Sequence, residues 1–415
     1  MYFFVERVIL LIDMQELFIE IAKGTGRLFF NPLLYWAIIL LVISGSKRIN
    51  QERKQFGFKV FPMFYELKNT WLPSLIVGVF VSIMFFGLEV VFPLPTLLLL
   101  VVVIILLSLH MRFSLLSASY TVGLTYLLIL LSPFILQFQN KIDENIFTYS
   151  PLMSLSLLLG ILLMFEAFLL VNEDRNNTFP ELIKSERGLW IGRHQLKRLS
   201  VIPLFFLVPS EQLGNLSNLL PYYPVGGEQF NLILFPMIIG FDISARKKLA
   251  TDIAKRLGLS FGILGFFVAI LSIASMYVRW LSILAVILAI VCREYFMFKH
   301  KTAEGLHQGF FTRSREGLKI LSVMPYSPAR RLGILTGETV TKVNNIRVKT
   351  VDEFYKALQG SGTNYRLEII DDLGEVRIVQ SALYAGEHYK LGLIFVDDPH
   401  YKIGLKDSTM NRINN

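Results

Sequence analysis

Six histidines are the first residues to test for chemistry, because histidine is the commonest metal ligand and a frequent general base. None belongs to a His-Glu-x-x-His pattern, which would place two zinc ligands on one face of a helix. They are His110, His194, His300, His307, His388 and His400. A zinc protease is therefore not expected.

A serine pattern leads to the same conclusion. Residues 258–262 match Gly-x-Ser-x-Gly, which in hydrolases follows a strand and needs a histidine partner. Here the pattern opens a long apolar run, and no histidine lies within a later run. Phosphate-binding loops, Rossmann glycines and paired metal carboxylates do not occur either. We therefore predict no enzymatic activity, no catalytic residue, no cofactor and no metal.

Glu166 is an ionisable residue inside the apolar run 151–171. Intramembrane carboxylates are functional candidates, such as proton or ion relays, or they hydrogen-bond between helices. No second charged partner is evident in the sequence. An inter-helix hydrogen bond near the cytoplasmic face is therefore favoured over a relay.

The composition indicates a membrane protein. Of the 415 residues, 53% are hydrophobic and 18% are charged, whereas soluble domains carry roughly 25% charged residues. The net charge of +9 does not indicate nucleic-acid binding, because the basic residues flank the apolar runs, as positive-inside topology requires. The single cysteine, Cys292, excludes a disulfide framework.

Seven apolar runs approach the roughly 20 residues that a membrane-spanning helix needs. They cover residues 28–43, 71–91, 96–109, 113–136, 151–171, 257–275 and 281–298. Two shorter apolar stretches, 201–209 and 230–241, flank a polar segment with several prolines and glycines. We interpret them as short spans, a re-entrant hairpin or interfacial segments, which gives seven to nine elements in a polytopic domain over residues 1–298.

Basic segments set the orientation of these elements. Lysines and arginines are concentrated in residues 47–59, 175–198 and 246–256, whereas the connections at 92–95 and 141–145 lack that excess. The positive-inside rule therefore places the basic segments, and everything from residue 299 onward, in the cytoplasm. Helical spacing of apolar residues also predicts an amphipathic basic helix over 245–259, either docked on the membrane surface or leading into the next span; the second is favoured.

The composition changes at residue 299, where apolar runs give way to strand-like alternation. Strands are predicted at 318–324, 339–343 and 346–348, followed by a hairpin of 365–371 and 375–381. Ser327 and Pro328 predict the start of a short helix that Gly333 ends. Thr350 and Glu353 predict a capping box for a helix over 351–358.

Residues 317–345 resemble the signature of bacterial PDZ domains. They contain Gly-Leu-Lys-Ile, then Val-Met-Pro-Tyr-Ser-Pro-Ala, then Gly-Glu and Val-Asn-Asn, with Glu338 and Asn345 replacing the usual Asp and Gly. The resemblance implies a small α+β domain over residues 299–415, a partly open β-barrel or sandwich with two helices. It also implies that an extended peptide adds to one strand and lies against one helix.

The helix over 351–358 then supplies Phe354 and Leu358 to the peptide-binding groove. The favoured carboxylate-binding loop lies within 390–395, which looks like a Gly-Leu-Gly-Phe element moved to the C-terminal end of a permuted domain. Its predicted residues are Leu391, Gly392, Leu393, Ile394 and Phe395. The alternative loop precedes the first strand, where protease-linked PDZ domains carry theirs. Its residues are Gly309, Phe310 and Phe311.

The whole chain resembles the MinJ family, the cell-division topological determinants of Gram-positive rods. The resemblance rests on Phe29-Phe30-Asn31-Pro32, the basic segment 47–54, the chain length, and a multi-span region followed by a lone PDZ domain. It implies a membrane adaptor, enriched at septa and poles, that links DivIVA to MinD and restrains FtsZ-ring assembly at poles and used septa. The implied partners are DivIVA, MinD, other division proteins and the lipid bilayer; self-association is compatible with this role.

Two other functions stay open at this point. One is a regulator that presents substrates to a membrane protease, for which deletion would stabilise membrane substrates. The other is a transporter with a regulatory PDZ domain, for which solute flux would depend on Glu166.

Overall fold

The computed structural model describes residues 31–137, 152–184, 190–211, 222–225, 228–305, 309–312, 314, 316–360, 364–382 and 391–396. The predicted connection at 141–145 lies outside these residues, as does Lys390 of the favoured loop. An N-terminal helical region is followed by a C-terminal region rich in strands. This order agrees with the predicted fold class.

Within the described residues, seven long helices form the N-terminal region, one in each predicted apolar run. They are α1 (Pro32–Phe56), α2 (Trp71–Gly87), α3 (Leu94–Ser108), α4 (Ala118–Gln137), α5 (Leu152–Val171), α6 (Ala250–Ala274) and α7 (Trp280–Gly305). Helices α1, α5, α6 and α7 are long and apolar enough to cross a membrane, and the other three are shorter apolar helices. The described chain thus carries the helices of a membrane protein.

Glycines bring α5 and α6 into close contact. A Cβ atom added to Gly160 would lie 2.8 Å from the backbone nitrogen of Ala269, and one added to Gly265 would lie 2.9 Å from the Gly160 carbonyl oxygen. The first glycine of the Gly-x-Ser-x-Gly pattern, Gly258, similarly approaches the Ala167 carbonyl. The structure therefore places this pattern inside a tightly packed helix, where its glycines serve helix packing.

An antiparallel sheet follows α5, and it corrects the interpretation of 201–209 and 230–241. Its strands are β1 (Phe179–Lys184), β2 (Trp190–Pro209), β3 (Tyr222–Val225) and β4 (Glu228–Ala245), in the order β1-β2-β4-β3. The two apolar stretches are halves of β2 and β4, not helical spans. All even-numbered positions from 196 to 208 are buried while most odd ones are partly exposed, so the pattern has the period of two of a strand.

Helix α2 takes the place of a neighbouring strand along the free edge of β2. The Thr70 hydroxyl donates to the Leu199 carbonyl at 3.0 Å, and the Ser82 hydroxyl accepts from the Phe205 N–H at 2.9 Å. Beyond the helix, the Phe92 N–H donates to the carbonyl of residue 207 at 2.8 Å. An unpaired backbone group costs several kcal/mol in an apolar environment, so these bonds stabilise a strand edge packed among helices.

Two prolines are tolerated in this hairpin because they lie opposite each other. Pro203 on β2 pairs in register with Pro236 on β4. The backbone groups of residues 199, 205 and 207 point away from β4. Because this direction alternates along a strand, the backbone nitrogen and carbonyl of Pro203 also point away from β4. Neither proline therefore removes a hydrogen bond between the strands. Gly78 of α2 lies against this point, where a Cβ atom would be 2.4 Å from the Pro203 carbonyl oxygen.

Of the predicted amphipathic helix over 245–259, residues 250–259 form the first part of α6, whereas Ala245 ends β4 and residues 246–249 connect the two elements. Leu249, Ile253 and Leu257 are all buried against other parts of the chain. Helix α6 begins at Ala250 and continues without a break for 25 residues. The structure agrees with a lead-in to an apolar helix and not with a separate surface helix.

The C-terminal region contains a sheet that does not close into a barrel. Its elements are β5 (Leu318–Val323), α8 (Pro328–Arg331), β6 (Thr339–Val343), β7 (Ile346–Arg347), α9 (Val351–Gln359), β8 (Asn364–Ile370), β9 (Val376–Ala382) and β10 (Leu393–Phe395). The strand order is β10-β5-β6-β8-β9, with β7 paired to β6. Strands β10 and β9 therefore lie at the two ends of the sheet.

Local signals in the sequence set these element ends as predicted. The Ser327 hydroxyl accepts from the Arg330 N–H at the start of α8, and Gly333 follows the helix with a φ of +69°. The Thr350 hydroxyl accepts from the Glu353 N–H at 3.2 Å and caps α9. The two residues between the predicted strands 339–343 and 346–348 are Asn344 and Asn345, and both adopt positive φ in a tight turn.

Candidate peptide-binding site

Gly392 occupies a position that other residues cannot fill. Its φ is +81°, and a Cβ atom there would lie 2.2 Å from the Ser327 Cβ. The left-handed backbone turns the chain from Leu391 into β10. The preceding carbonyl, that of Leu391, accepts from the Ala329 N–H at 3.0 Å, so α8 and this loop are held together.

Strand β10 presents a free backbone edge. The Met324 N–H donates to the Gly392 carbonyl at 2.8 Å, which makes this pair a hydrogen-bonded pair of the β5–β10 ladder. Because hydrogen-bonded and non-hydrogen-bonded pairs alternate, Leu393 directs its N–H and C=O away from β5. Within the described part of the chain, these two groups have no hydrogen-bond partner. An added strand could form hydrogen bonds with this N–H and C=O of Leu393.

Five of the predicted groove residues come together in one apolar cluster. Leu391, Leu393, Phe395, Phe354 and Leu358 are all buried in it, between β10 and α9. The Phe354 and Phe395 rings meet edge to face, with centroids 5.0 Å apart. These rings fill the space between strand and helix, so the site offers backbone pairing at Leu393 more readily than a deep side-chain pocket.

Tyr355 is the half-buried residue on the apolar side of α9. It packs against the same cluster, and its ring lies 5.4 Å from that of Phe354. The next residue, Lys356, is exposed. Tyr355 therefore lies at the rim of the candidate site, where a ligand would meet it first.

The alternative loop lies elsewhere in the fold. The Phe311 carbonyl accepts from the Gly192 N–H of β2 at 2.9 Å, and the Phe310 N–H donates to the Arg246 carbonyl at 2.9 Å. Gly309 lies beside the same Arg246 carbonyl. The structure thus places the alternative loop against the β2–β4 sheet and places 391–395 next to α9. Peptide binding at either remains a prediction.

Phe311 is part of a fully buried contact between the two regions. Its ring lies 4.3 Å from the His194 ring on β2, and its side chain is 0% exposed. A nitrogen of His194 shares a 2.8 Å hydrogen bond with the Thr178 hydroxyl. Burial lowers the pKa of His194 from 6.5 to about 3, so this histidine is neutral in the folded protein.

The C-terminal region is docked onto the rest of the chain by the loop that follows α5. The Asn176 side chain donates to the Ile334 carbonyl and accepts from the Thr336 N–H, each at 2.8 Å. Arg175 forms an ion pair with Asp372 at the tip of the β8–β9 hairpin. Sequence reasoning missed this interface, because the polar run at 173–177 resembles an ordinary connection after a span.

The docking loop is itself held by a buried ion pair. Arg198 of β2 donates to both carboxylate oxygens of Glu173, at 2.8 and 3.0 Å, and to the Asn177 carbonyl at 2.7 Å. Burial raises the pKa of Glu173, and the charge of Arg198 opposes that rise. On the other side of the loop, Asp174 pairs with Arg330 of α8. A charged network thus connects β2 to the C-terminal region.

An apolar cluster completes the docking face. Leu321 of β5, Ile394 of β10 and Val396 pack with Phe61 and Phe179 from the N-terminal region. Ile394 therefore faces the opposite way from Leu393 and Phe395, as alternation along a strand requires. One face of β10 belongs to the candidate groove and the other to the docking interface.

Glu166 has a charged partner that the sequence did not reveal. Its carboxylate lies 3.1 Å from the Arg293 guanidinium of α7, and the two side chains are 0% and 2% exposed. The Ser117 hydroxyl donates to the other carboxylate oxygen. The Arg293 guanidinium also lies 4.6 Å from the centre of the Tyr120 ring. The expected inter-helix contact is present, and it is an ion pair.

Among the described residues, no group of His, Cys, Asp and Glu side chains is arranged to hold a metal ion. The serine of the Gly-x-Ser-x-Gly pattern, Ser260, lies on α6 and donates its hydroxyl to the Arg256 carbonyl. The docked C-terminal region therefore contains the candidate site that the geometry provides.

Known proteins match both regions of the chain. The PDZ domain family matches residues 319–370. Over 386 residues the chain is 32% identical to the cell division topological determinant MinJ of Bacillus subtilis (strain 168), covering 92% of this chain and 96% of that protein. It is 24% identical over 383 residues to a probable cell division topological determinant MinJ of Lacticaseibacillus paracasei, covering 88% and 96%.

Proposed function

Because the chain belongs to the MinJ family of cell division topological determinants, we propose that it is a non-enzymatic membrane adaptor for placing the division site. The observation that carries this role is the free edge of β10, held beside α9 in a PDZ domain that is docked on the N-terminal region. An adaptor needs such a binding edge and an anchor, and it needs no catalytic group.

The finer proposal names the partners. The chain links DivIVA to MinD and restrains FtsZ-ring assembly at poles and used septa, with its PDZ domain in the cytoplasm and the protein enriched at septa and poles. The basic segments beside the apolar helices support this orientation. Confinement to the membrane raises the effective concentration of the binding edge, so weak contacts suffice.

A rim substitution on α9 tests the PDZ domain as the partner site. A full-length fluorescent fusion carrying Tyr355→Glu should lose co-purification of DivIVA or MinD and should produce minicells, because a carboxylate at the rim disturbs an apolar ligand. Lys356→Glu changes a neighbouring exposed residue of the same helix and should behave as the unsubstituted chain. Equal membrane levels of the two variants are the control for folding.

The broader role has its own test. Deletion of the gene should misplace septa, and the fusion should collect at septa and poles. An even distribution around the cell with normal septum placement after deletion would contradict the adaptor role. Stabilised membrane substrates with normal septa would instead indicate a partner of a membrane protease.

A further inference from the structure

Strand β9 is a second open edge, at the end of the PDZ sheet opposite β10. The Asp371 N–H donates to the Glu375 carbonyl at 3.0 Å, and this pair begins the ladder between β8 and β9. By alternation, Val376, Ile378 and Gln380 direct their N–H and C=O groups away from β8. Within the described residues, these backbone groups have no hydrogen-bond partner.

The side chains at this edge are apolar and exposed. Val376 is 57% exposed and Ile378 is 50% exposed. The other two outward-directed positions of β9, Gln380 and Ala382, are also uncharged. An edge strand that carries no lysine, proline or bulge at these positions is a ready template for pairing with another strand.

The opposite face of β9 holds the strand in place. Arg377 donates to the Glu338 carboxylate at 2.6 Å and to the Gly333 carbonyl at 3.0 Å. Val379 on that same face is buried in the core of the PDZ domain. The free edge is therefore a rigid surface, ordered before any partner arrives, which lowers the entropic cost of pairing.

The sequence of β9 is complementary to itself. When two copies are aligned antiparallel about Ile378, Val376 lies opposite Gln380 and Ile378 lies opposite its own copy. On the other face Arg377 lies opposite Val379, and at the end Glu375 lies opposite residue 381, a serine. No pair of like charges results, and the apolar side chains meet at the centre.

We propose that β9 pairs with β9 of a second copy of this chain, joining two PDZ sheets across a two-fold axis at Ile378. Such an interface is isologous, the commonest arrangement in homodimers. It leaves the edge of β10 free in both copies, so the dimer presents two candidate peptide-binding sites. This interaction does not depend on the partners proposed above.

Cysteine cross-linking of the full-length chain in membranes tests the pairing. With Cys292→Ser as background, Ile378→Cys should form a disulfide-linked dimer on mild oxidation. Opposite residues of a hydrogen-bonded antiparallel pair have Cα atoms about 5.5 Å apart, within the range of a disulfide. Leu373→Cys is the control, because Leu373 is more exposed, at 85%, but lies at the hairpin tip. In the proposed dimer the Cα atoms of the two copies of residue 373 are separated by ten residues along the strand direction, roughly 34 Å.

A charge at the axis gives the second test. Ile378→Lys places two ammonium groups opposite each other and should weaken self-association roughly tenfold, as measured by co-purification of two differently tagged full-length copies. Leu373→Lys makes the same charge change off the strand and should have no effect. Both positions are exposed, so equal membrane levels of the variants show that folding is retained.

Three outcomes would overturn the proposal. Cross-linking through residue 373 as strong as through residue 378 would indicate random collision. Unchanged self-association of Ile378→Lys would place the contact elsewhere. A chain that is monomeric but loses DivIVA or MinD when Ile378 is changed would show that the edge serves another protein. None of these results depends on where septa form, so they are separate from the test of the adaptor role.

Discussion

The ion pair between Glu166 and Arg293 predicts a large and specific loss of stability. Glu166→Gln removes the carboxylate charge but keeps the shape of the side chain and a group that the Ser117 hydroxyl can bond. Arg293, which is 2% exposed, is then left as a buried charge without its partner. Breaking a buried pair in this way costs about 3–5 kcal/mol. We expect the free energy of unfolding to fall by at least about 3 kcal/mol.

The double variant separates an ion pair from a general polarity effect. Glu166→Leu combined with Arg293→Met replaces both charges by apolar groups of similar volume, a change that is often neutral or stabilising. The double variant should therefore unfold within about 1 kcal/mol of the unsubstituted chain, or later. Glu294→Gln is the control, because Glu294 is an exposed carboxylate next to Arg293 in sequence.

Unfolding in mixed detergent micelles, followed by tryptophan fluorescence, measures these free energies. The reasoning fails if Glu166→Gln unfolds within about 1 kcal/mol of the unsubstituted chain, since a buried unpaired arginine would then cost little. It also fails if the double variant is as unstable as the single one. That outcome would mean that the two side chains support the helices through contacts other than their mutual attraction.

Three further predictions address the sheet and the docking interface. Gly78→Ala should cost about 1–3 kcal/mol of stability, because α2 must move away from β2, whereas Gly87→Ala meets no atom within 4 Å and should not destabilise. Asn176→Ala should weaken docking by about 2 kcal/mol and speed proteolytic release of a C-terminal fragment, while Asn172→Ala, which loses only an exposed bond to its own helix, should not. His194 has a pKa of 6.5 in the unfolded chain and about 3 in the folded chain. Between these two pH values the imidazole is protonated in the unfolded chain and neutral in the folded chain. Stability should therefore fall by up to about 1.4 kcal/mol per pH unit on acidification, and His194→Gln should remove that part of the slope in a pH series of unfolding.

The PDZ elements could be predicted from the sequence because their signals are local. Ser327 with Pro328, Gly333, and Thr350 with Glu353 each act within one turn of their own position. The capping bond and the left-handed glycine need no distant partner. The predicted strand 339–343 has the same ends as β6 for the same reason, since a turn of two asparagines follows it directly.

The β2–β4 hairpin could not be predicted from the amount of apolar sequence, because length and hydropathy do not distinguish strand from helix over 9–12 residues. The period of two at positions 196–208 appears only in the burial, because the buried positions include Arg198 and Ser200 while the apolar Phe205 is partly exposed. The contacts that stabilise strands in this place are not local. The hydroxyls of Thr70, just before α2, and of Ser82 on α2 bond the edge of β2, more than 120 residues away in the sequence. Only the assembled fold shows that these two segments meet.

Strand β10 illustrates why the groove was only partly predictable. Its glycine and its apolar residues identified it as a candidate, but the sequence could not assign a face to each residue. Leu393 and Phe395 belong to the PDZ core, while Ile394 packs with Phe61 and Phe179 of the N-terminal region. A strand added at Leu393 would pair with the backbone of β10. The Ile394 face of β10 is fixed by docking, so the candidate binding edge and the docking interface lie on the same strand. Docking therefore holds the candidate binding edge at a set position relative to the apolar helices, instead of on a free tether.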